Sequence, residues 1–75
     1  MKQRVLCLLI DGFEEIETVT PVDILRRAGV EVTIASLKEK TVTGRCGMRL
    51  VADALLPDVD PAGFDLLLIP GGPGV

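Results

Sequence analysis

The chain has 75 residues, about half of a typical domain, so it is at most one small domain or part of a larger one and is not a multidomain enzyme. Hydrophobic residues make up 48% and aromatics only 3%, Phe13 and Phe64, so the core must be aliphatic. Eight Lys and Arg against eleven Asp and Glu give a net charge of −3 with no basic cluster beyond Arg26-Arg27, which argues against nucleic acid, while the lack of His and the spacing of Cys7 and Cys46 argue against a metal centre or Ser-His chemistry.

Lys2 and Arg4 precede the apolar run Val5 to Ile10 in a way that imitates a signal peptide. The run stops at Asp11, too short for a secretory leader or a membrane span, so the expectation is a soluble cytoplasmic protein with reduced thiols and no membrane partner. Six consecutive apolar residues suit a strand buried on both faces of a parallel sheet. Asp11-Gly12 breaks it, and the acidic residues from Glu14 onward suit the positive end of a helix dipole.

Pro21 leaves two readings: a fresh helix capped by Thr20, or one helix from Glu14 to Ala28 kinked at the proline. Either way Val22, Leu25 and Ala28 share a face, and Gly29 is the stop. Val30 to Ala35, rich in β-branched residues, is the second strand, and strand–helix–strand over this length is a βαβ unit with a right-handed crossover. Lys38-Glu39-Lys40 reads as solvated. Thr41 to Gly44 and Met48 to Ala52 read as two short strands or edge extensions, and Asp53 to Pro61 as an irregular connection or a brief helical turn.

Phe64 to Ile69 is the third parallel strand, ended by Pro70-Gly71-Gly72-Pro73-Gly74. Three buried strands with one helix do not make a closed α/β unit, because each sheet face needs a helical cover. The expectation is that residues 1–75 are the N-terminal part of one domain whose remainder was cleaved, sits on a second chain or was never made. Oligomerisation of the 75 residues is the rival explanation.

The segment Asp11-Gly12-Phe13-Glu14-Glu15-Ile16-Glu17-Thr18-Val19, continued by Pro21-Val22-Asp23 and Arg26-Arg27-Ala28-Gly29, resembles the ThiJ/PfpI superfamily, in the branch of the Parkinson's-disease deglycase (DJ-one). Val32-Thr33-Ile34-Ala35, Cys46 and Leu68-Ile69-Pro70-Gly71-Gly72 extend the resemblance over essentially the whole chain. It implies a flavodoxin-like, doubly wound α/β sandwich of roughly twice this length, usually homodimeric, with a reactive cysteine on a strand-to-helix elbow beyond Val75. Glu17 matches the glutamate set against that cysteine, and Gly71 and above all Gly72 match the loop whose amides bind a substrate oxyanion. Departures are Pro73-Gly74 after the glycines, and Met48 where some relatives carry arginine; no role is carried onto Arg49.

Each site residue also has a bland reading. Glu17 serves the helix dipole as Glu14 and Glu15 do, and Gly71-Gly72 form only a turn. Cys7 in its apolar strand reads as inert core. Cys46 reads as exposed, with Arg45 placed to lower its pKa, yet nothing else activates it, so it is a secondary oxidation site or lies near a dimer contact. A dinucleotide fingerprint is missing where only Gly12 opens the helix, so neither NAD nor any other cofactor is expected.

The resemblance implies a cysteine-dependent enzyme acting on small reactive carbonyls or glycated groups, of glutathione-independent glyoxalase or deglycase type, inactive as this chain alone. Its partners would be the C-terminal remainder, a small carbonyl substrate and a second copy. The alternatives are an oxidative-stress sensor or chaperone, and, last, a PfpI-type peptidase or a relative labelled for thiazole biosynthesis.

Overall fold

A computed structural model describes residues 3–71. The first apolar run forms β1 (Arg4–Leu9), and α1 (Glu15–Arg27) returns the chain to β2 (Glu31–Ser36). β3 (Thr41–Thr43) and β4 (Arg49–Val51) form an antiparallel hairpin, followed by β5 (Ala54–Leu55) and β6 (Leu66–Leu68). β5, β2, β1 and β6 lie side by side in one wholly parallel sheet. The βαβ unit and its parallel sheet thus stand as expected. The two-residue β5 lies inside the stretch read as irregular, which continues as two single-turn 3-10 helices, Leu56–Asp58 and Pro61–Gly63.

Pro21 sits inside one continuous helix, so the Thr20-capped alternative falls. The proline lies in the second turn and deprives only the Glu17 carbonyl of its intrahelical donor. Glu14 is the N-cap residue, and Gly29 ends the helix with φ 87°, a left-handed value glycine adopts without strain. Val22 is buried and Leu25 packs beside it, but Ala28 is exposed, because the helix has ended at Arg27 and Ala28 already belongs to the closing turn.

Alternation along β1 divides its side chains. Val5 and Cys7 meet Val22 of α1 and Val32 of β2, while Leu9 packs with Phe13, Val42 and Ala52 beneath the hairpin. Leu6 and Leu8 face the other way, into an apolar groove of about 560 Å³ shared with Phe64, Leu66 and Leu67. Leu66 and Leu67 remain 59% and 54% exposed there, so the expectation of strands covered on both faces holds on the helix side alone. No helix among the described residues is long and apolar enough to cross a membrane.

The hairpin is locked to the helix by a buried carboxylate. Glu15 is only 8% exposed, and its Oε2 accepts from the Cys46 amide at 2.7 Å and the Met48 amide at 3.3 Å. The turn wraps so closely that a Cβ on Gly44 would stand 2.5 Å from Oε2. Oε1 has no hydrogen-bond partner among the described residues. Burial pushes the Glu15 pKa up, but amide donors from its own residue, Cys46 and Met48, with help from the Cys46 side chain, outweigh this and hold it below the usual glutamate value. A second clasp joins α1 to the sheet edge: Arg26 donates to the Val32 carbonyl at 2.9 Å and to Asp53 Oδ2 at 3.1 Å, and that same oxygen accepts from the Ile34 amide at 2.8 Å.

Two outcomes follow for denaturant unfolding. Leu9 is wholly buried, so Leu9→Ala is expected to cost about 2–5 kcal/mol. For Glu15 the folded pKa lies below the unfolded value of about 4.3, so its contribution is complete above that pH and drains away as the pH falls through the folded value. Glu15→Gln should lower the midpoint at neutral pH and flatten its fall on acidification; a parallel pH profile in the variant would refute the lock.

Candidate functional site

β1 and β6 run parallel, so their carboxyl ends open on the same edge of the sheet, the edge where α1 begins. After Leu9 the chain turns through Gly12, φ 82°, into the N-cap residue Glu14. After Leu68 it passes through Ile69 and Pro70 to Gly71. Two hydrogen bonds join these segments: the Glu14 N–H donates to the Gly71 carbonyl at 2.9 Å, and the Gly71 N–H donates to Glu17 Oε1 at 3.1 Å. Glu17 is otherwise exposed.

The hairpin closes the third side. Arg45 donates through its backbone to the Phe13 carbonyl at 2.8 Å, and its guanidinium meets Glu14 Oε1, also at 2.8 Å. The Gly12 amide reaches the Thr43 carbonyl at 2.9 Å. Glu17 and Gly71, singled out from the sequence, are therefore in direct contact. Gly72, the third candidate, lies outside the described residues. Arg45 is engaged with Glu14, and the exposed Cys46 donates its backbone N–H to Glu15.

Sequence reasoning missed how differently the early glutamates behave. Glu14, Glu15 and Glu17 all read as dipole-favouring residues, yet they face a guanidinium, the buried hairpin turn and the Gly71 amide respectively. The available signal was angular: neighbours on a helix are about 100° apart, and Glu15 shares the face of Thr18 and Val22, both buried. A separate cleft of about 390 Å³ lies between the β1 and β2 ends and the hairpin, lined by residues including Asp11, Lys38 and Thr43, and reaches neither Glu17 nor Gly71. Among the described residues no cluster of His, Cys, Asp or Glu could hold a metal ion.

The two thiols differ sharply. Cys7 is fully buried, and burial pushes its pKa up to about 11 against a weaker downward pull from Arg26. In the native protein, a thiol reagent at neutral pH should label Cys46 and leave Cys7 untouched until denaturant is added; equal labelling would contradict this burial.

The sequence profile described as the DJ-1/PfpI family matches residues 3–75. Among curated proteins, the chain is 42% identical to Protein DJ-1 homolog B of Arabidopsis thaliana over 71 residues, 93% of this chain and 16% of that one. It is 43% identical to Protein/nucleic acid deglycase 2 of Escherichia coli over 74 residues, 96% of this chain and 43% of the other. Among solved structures, Drosophila melanogaster DJ-1beta superposes with a TM-score of 0.92 at 36% identity, covering 99% of this chain and 40% of that one. The chain thus spans less than half the length of these relatives. With the profile matched from Gln3 onward and the mostly parallel flavodoxin-like sheet shared with solved members, this chain belongs to the DJ-1/PfpI family.

Proposed function

We propose that this chain supplies the carboxylate side of a cysteine-dependent site acting on small reactive carbonyls or glycated groups, of glutathione-independent glyoxalase or deglycase type. The observation that carries this reading is the Glu17 carboxylate, exposed at the carboxyl edge of a parallel sheet with one oxygen held by the Gly71 amide. Open α/β sheets bind their ligands at that edge. Similarity to a protein named as a deglycase points the same way.

Neither cysteine here suits the nucleophile. Cys7 is sealed in the core, and Arg45, the sequence neighbour of Cys46, pairs its guanidinium with Glu14. The thiolate then comes from a C-terminal remainder of the same protein or from a separate chain, a partner that also fits the open groove over Leu6, Leu8, Leu66 and Leu67. Its sulfur bonds to the carbonyl carbon, the carbonyl π pair moves onto oxygen, and the Glu17 carboxyl delivers a proton there, giving a hemithioacetal. Glu17, now ionised, accepts the next proton from the substrate. Gly72 is the proposed donor to the developing oxyanion. Hemithioacetal formation makes one S–C and one O–H bond at the expense of the C=O π bond and the Glu17 O–H bond, and needs no electron transfer.

The reading extends to a homodimeric complete protein in the cytoplasm. Ile16 and Ile24 are exposed on the outer face of α1, a surface suited to a second copy, and the free cysteines fit a reducing compartment.

In the complete protein, Glu17→Ala should fold normally and lose about 100-fold or more of its turnover on methylglyoxal. An unchanged rate would remove Glu17 from the chemistry. Glu17→Gln separates this from the stress-sensor alternative, in which only the susceptibility of the thiol to peroxide would change.

A further inference from the structure

We propose that Gly71 is a positioning residue: its amide selects the rotamer of Glu17, and its missing side chain is the space that the Glu17 carboxylate occupies. This rests on the reading of Glu17 as the proton-moving group and differs from the oxyanion role that the resemblance implies for Gly71.

The peptide groups of Gly71 are fully engaged with the first turn of α1. Its single N–H is committed to Glu17 Oε1 at 3.1 Å, and its carbonyl accepts from Glu14 at 2.9 Å. An amide has one proton to donate, so while it holds Glu17 it does not bind a substrate oxygen. Glu17 lies 54 residues away in sequence and is exposed, so this contact is what distinguishes one orientation from the many rotamers open to a free glutamate. With Oε1 held, Oε2 is left for the reacting atoms.

The need for glycine here is spatial. Gly12, Gly29 and Gly47 carry positive φ and Gly71 does not, so an L side chain strains no backbone at this position. A Cβ added to Gly71 would instead land on Glu17 Oε1, with Glu17 Cδ at 3.3 Å and Glu14 Cγ at 3.8 Å as its next neighbours. The three nearest atoms it meets all belong to side chains at the start of α1, and the nearest is the movable end of an exposed one. A methyl group therefore displaces the carboxylate and leaves the backbone where it is. Gly44 provides the contrast: a Cβ there meets the Glu15 carboxylate, which is buried and held by two amides and has nowhere to go.

The test uses the complete protein and two independent readouts. In an NMR pH titration, the Gly71 amide proton should shift as Glu17 is protonated, and this shift should vanish in Glu17→Gln. Among the described residues the other titratable group against Gly71 is Glu14, paired with Arg45, and it remains in both proteins, as does the thiol that the remainder supplies. An identical Gly71 titration in parent and variant overturns the proposal, whatever the activity. In kinetics, Gly71→Ala should keep the parent's circular dichroism and melting temperature, change KM little and lower kcat on methylglyoxal roughly 10- to 100-fold. It should add no further loss to Glu17→Ala, since both substitutions remove the same placed carboxylate. An equal loss in both backgrounds overturns the proposal. If Glu17→Ala itself retains full turnover, the functional reading fails, and the titration still decides whether Gly71 holds Glu17.

Discussion

The first turn of α1 has to satisfy three neighbours at once, and the rest of the molecule is arranged around that constraint. Glu14 meets the Arg45 guanidinium, Glu15 turns inward to the Cys46 and Met48 amides, and Glu17 reaches the Gly71 amide. Helical geometry makes this possible, because successive side chains leave the axis about 100° apart and so address the hairpin, the core and the β6 loop from a single turn. Of the three, the Glu15 contact is the buried one. It fixes the height of the hairpin above the sheet, which closes the small core of Leu9, Phe13, Val42 and Ala52 and brings Arg45 within reach of Glu14. An exposed ion pair contributes little alone, whereas a buried carboxylate that loses its donors destabilises the fold strongly.

Much of this was legible in the sequence where one physical rule dominated. Val5 to Ile10 read as a buried strand, the βαβ connection imposed a parallel partner, and Gly29 marked the helix end through its positive φ. Where two rules competed, the sequence left alternatives. Pro21 opposes a continuous helix by removing one hydrogen bond, while the apolar face of Val22 and Leu25 favours it. Packing prevails because the proline costs a single intrahelical hydrogen bond, while Val22 is buried and Leu25 packs against the core. The third strand was overestimated for a similar reason. Phe64 is apolar, but Arg4 stacks on its ring at 4.7 Å and Asp65 accepts from the Arg4 amide, so these residues cap the sheet edge and leave only Leu66–Leu68 in the ladder. The site was half legible: the family resemblance marked Glu17 and the glycines as candidates, but nothing in the spacing of residues 54 positions apart shows that Gly71 and Glu17 touch.

The proposed chemistry places a further demand on Glu17. A carboxyl that gives and takes protons near neutral pH works best when shielded from water, since desolvation favours its protonated form. Here Glu17 stands in solvent, and its carboxylate is hydrogen-bonded to the Gly71 amide and to no thiol among the described residues. On the proposed reading, the part of the protein that brings the sulfur also brings the low-dielectric cover, so completing the site and tuning its acid become one event. The Gly71 hydrogen bond matters most before that event. It holds the carboxylate in one place while the site is still wet, so the incoming part meets an acid already oriented and spends less of its binding free energy on ordering it.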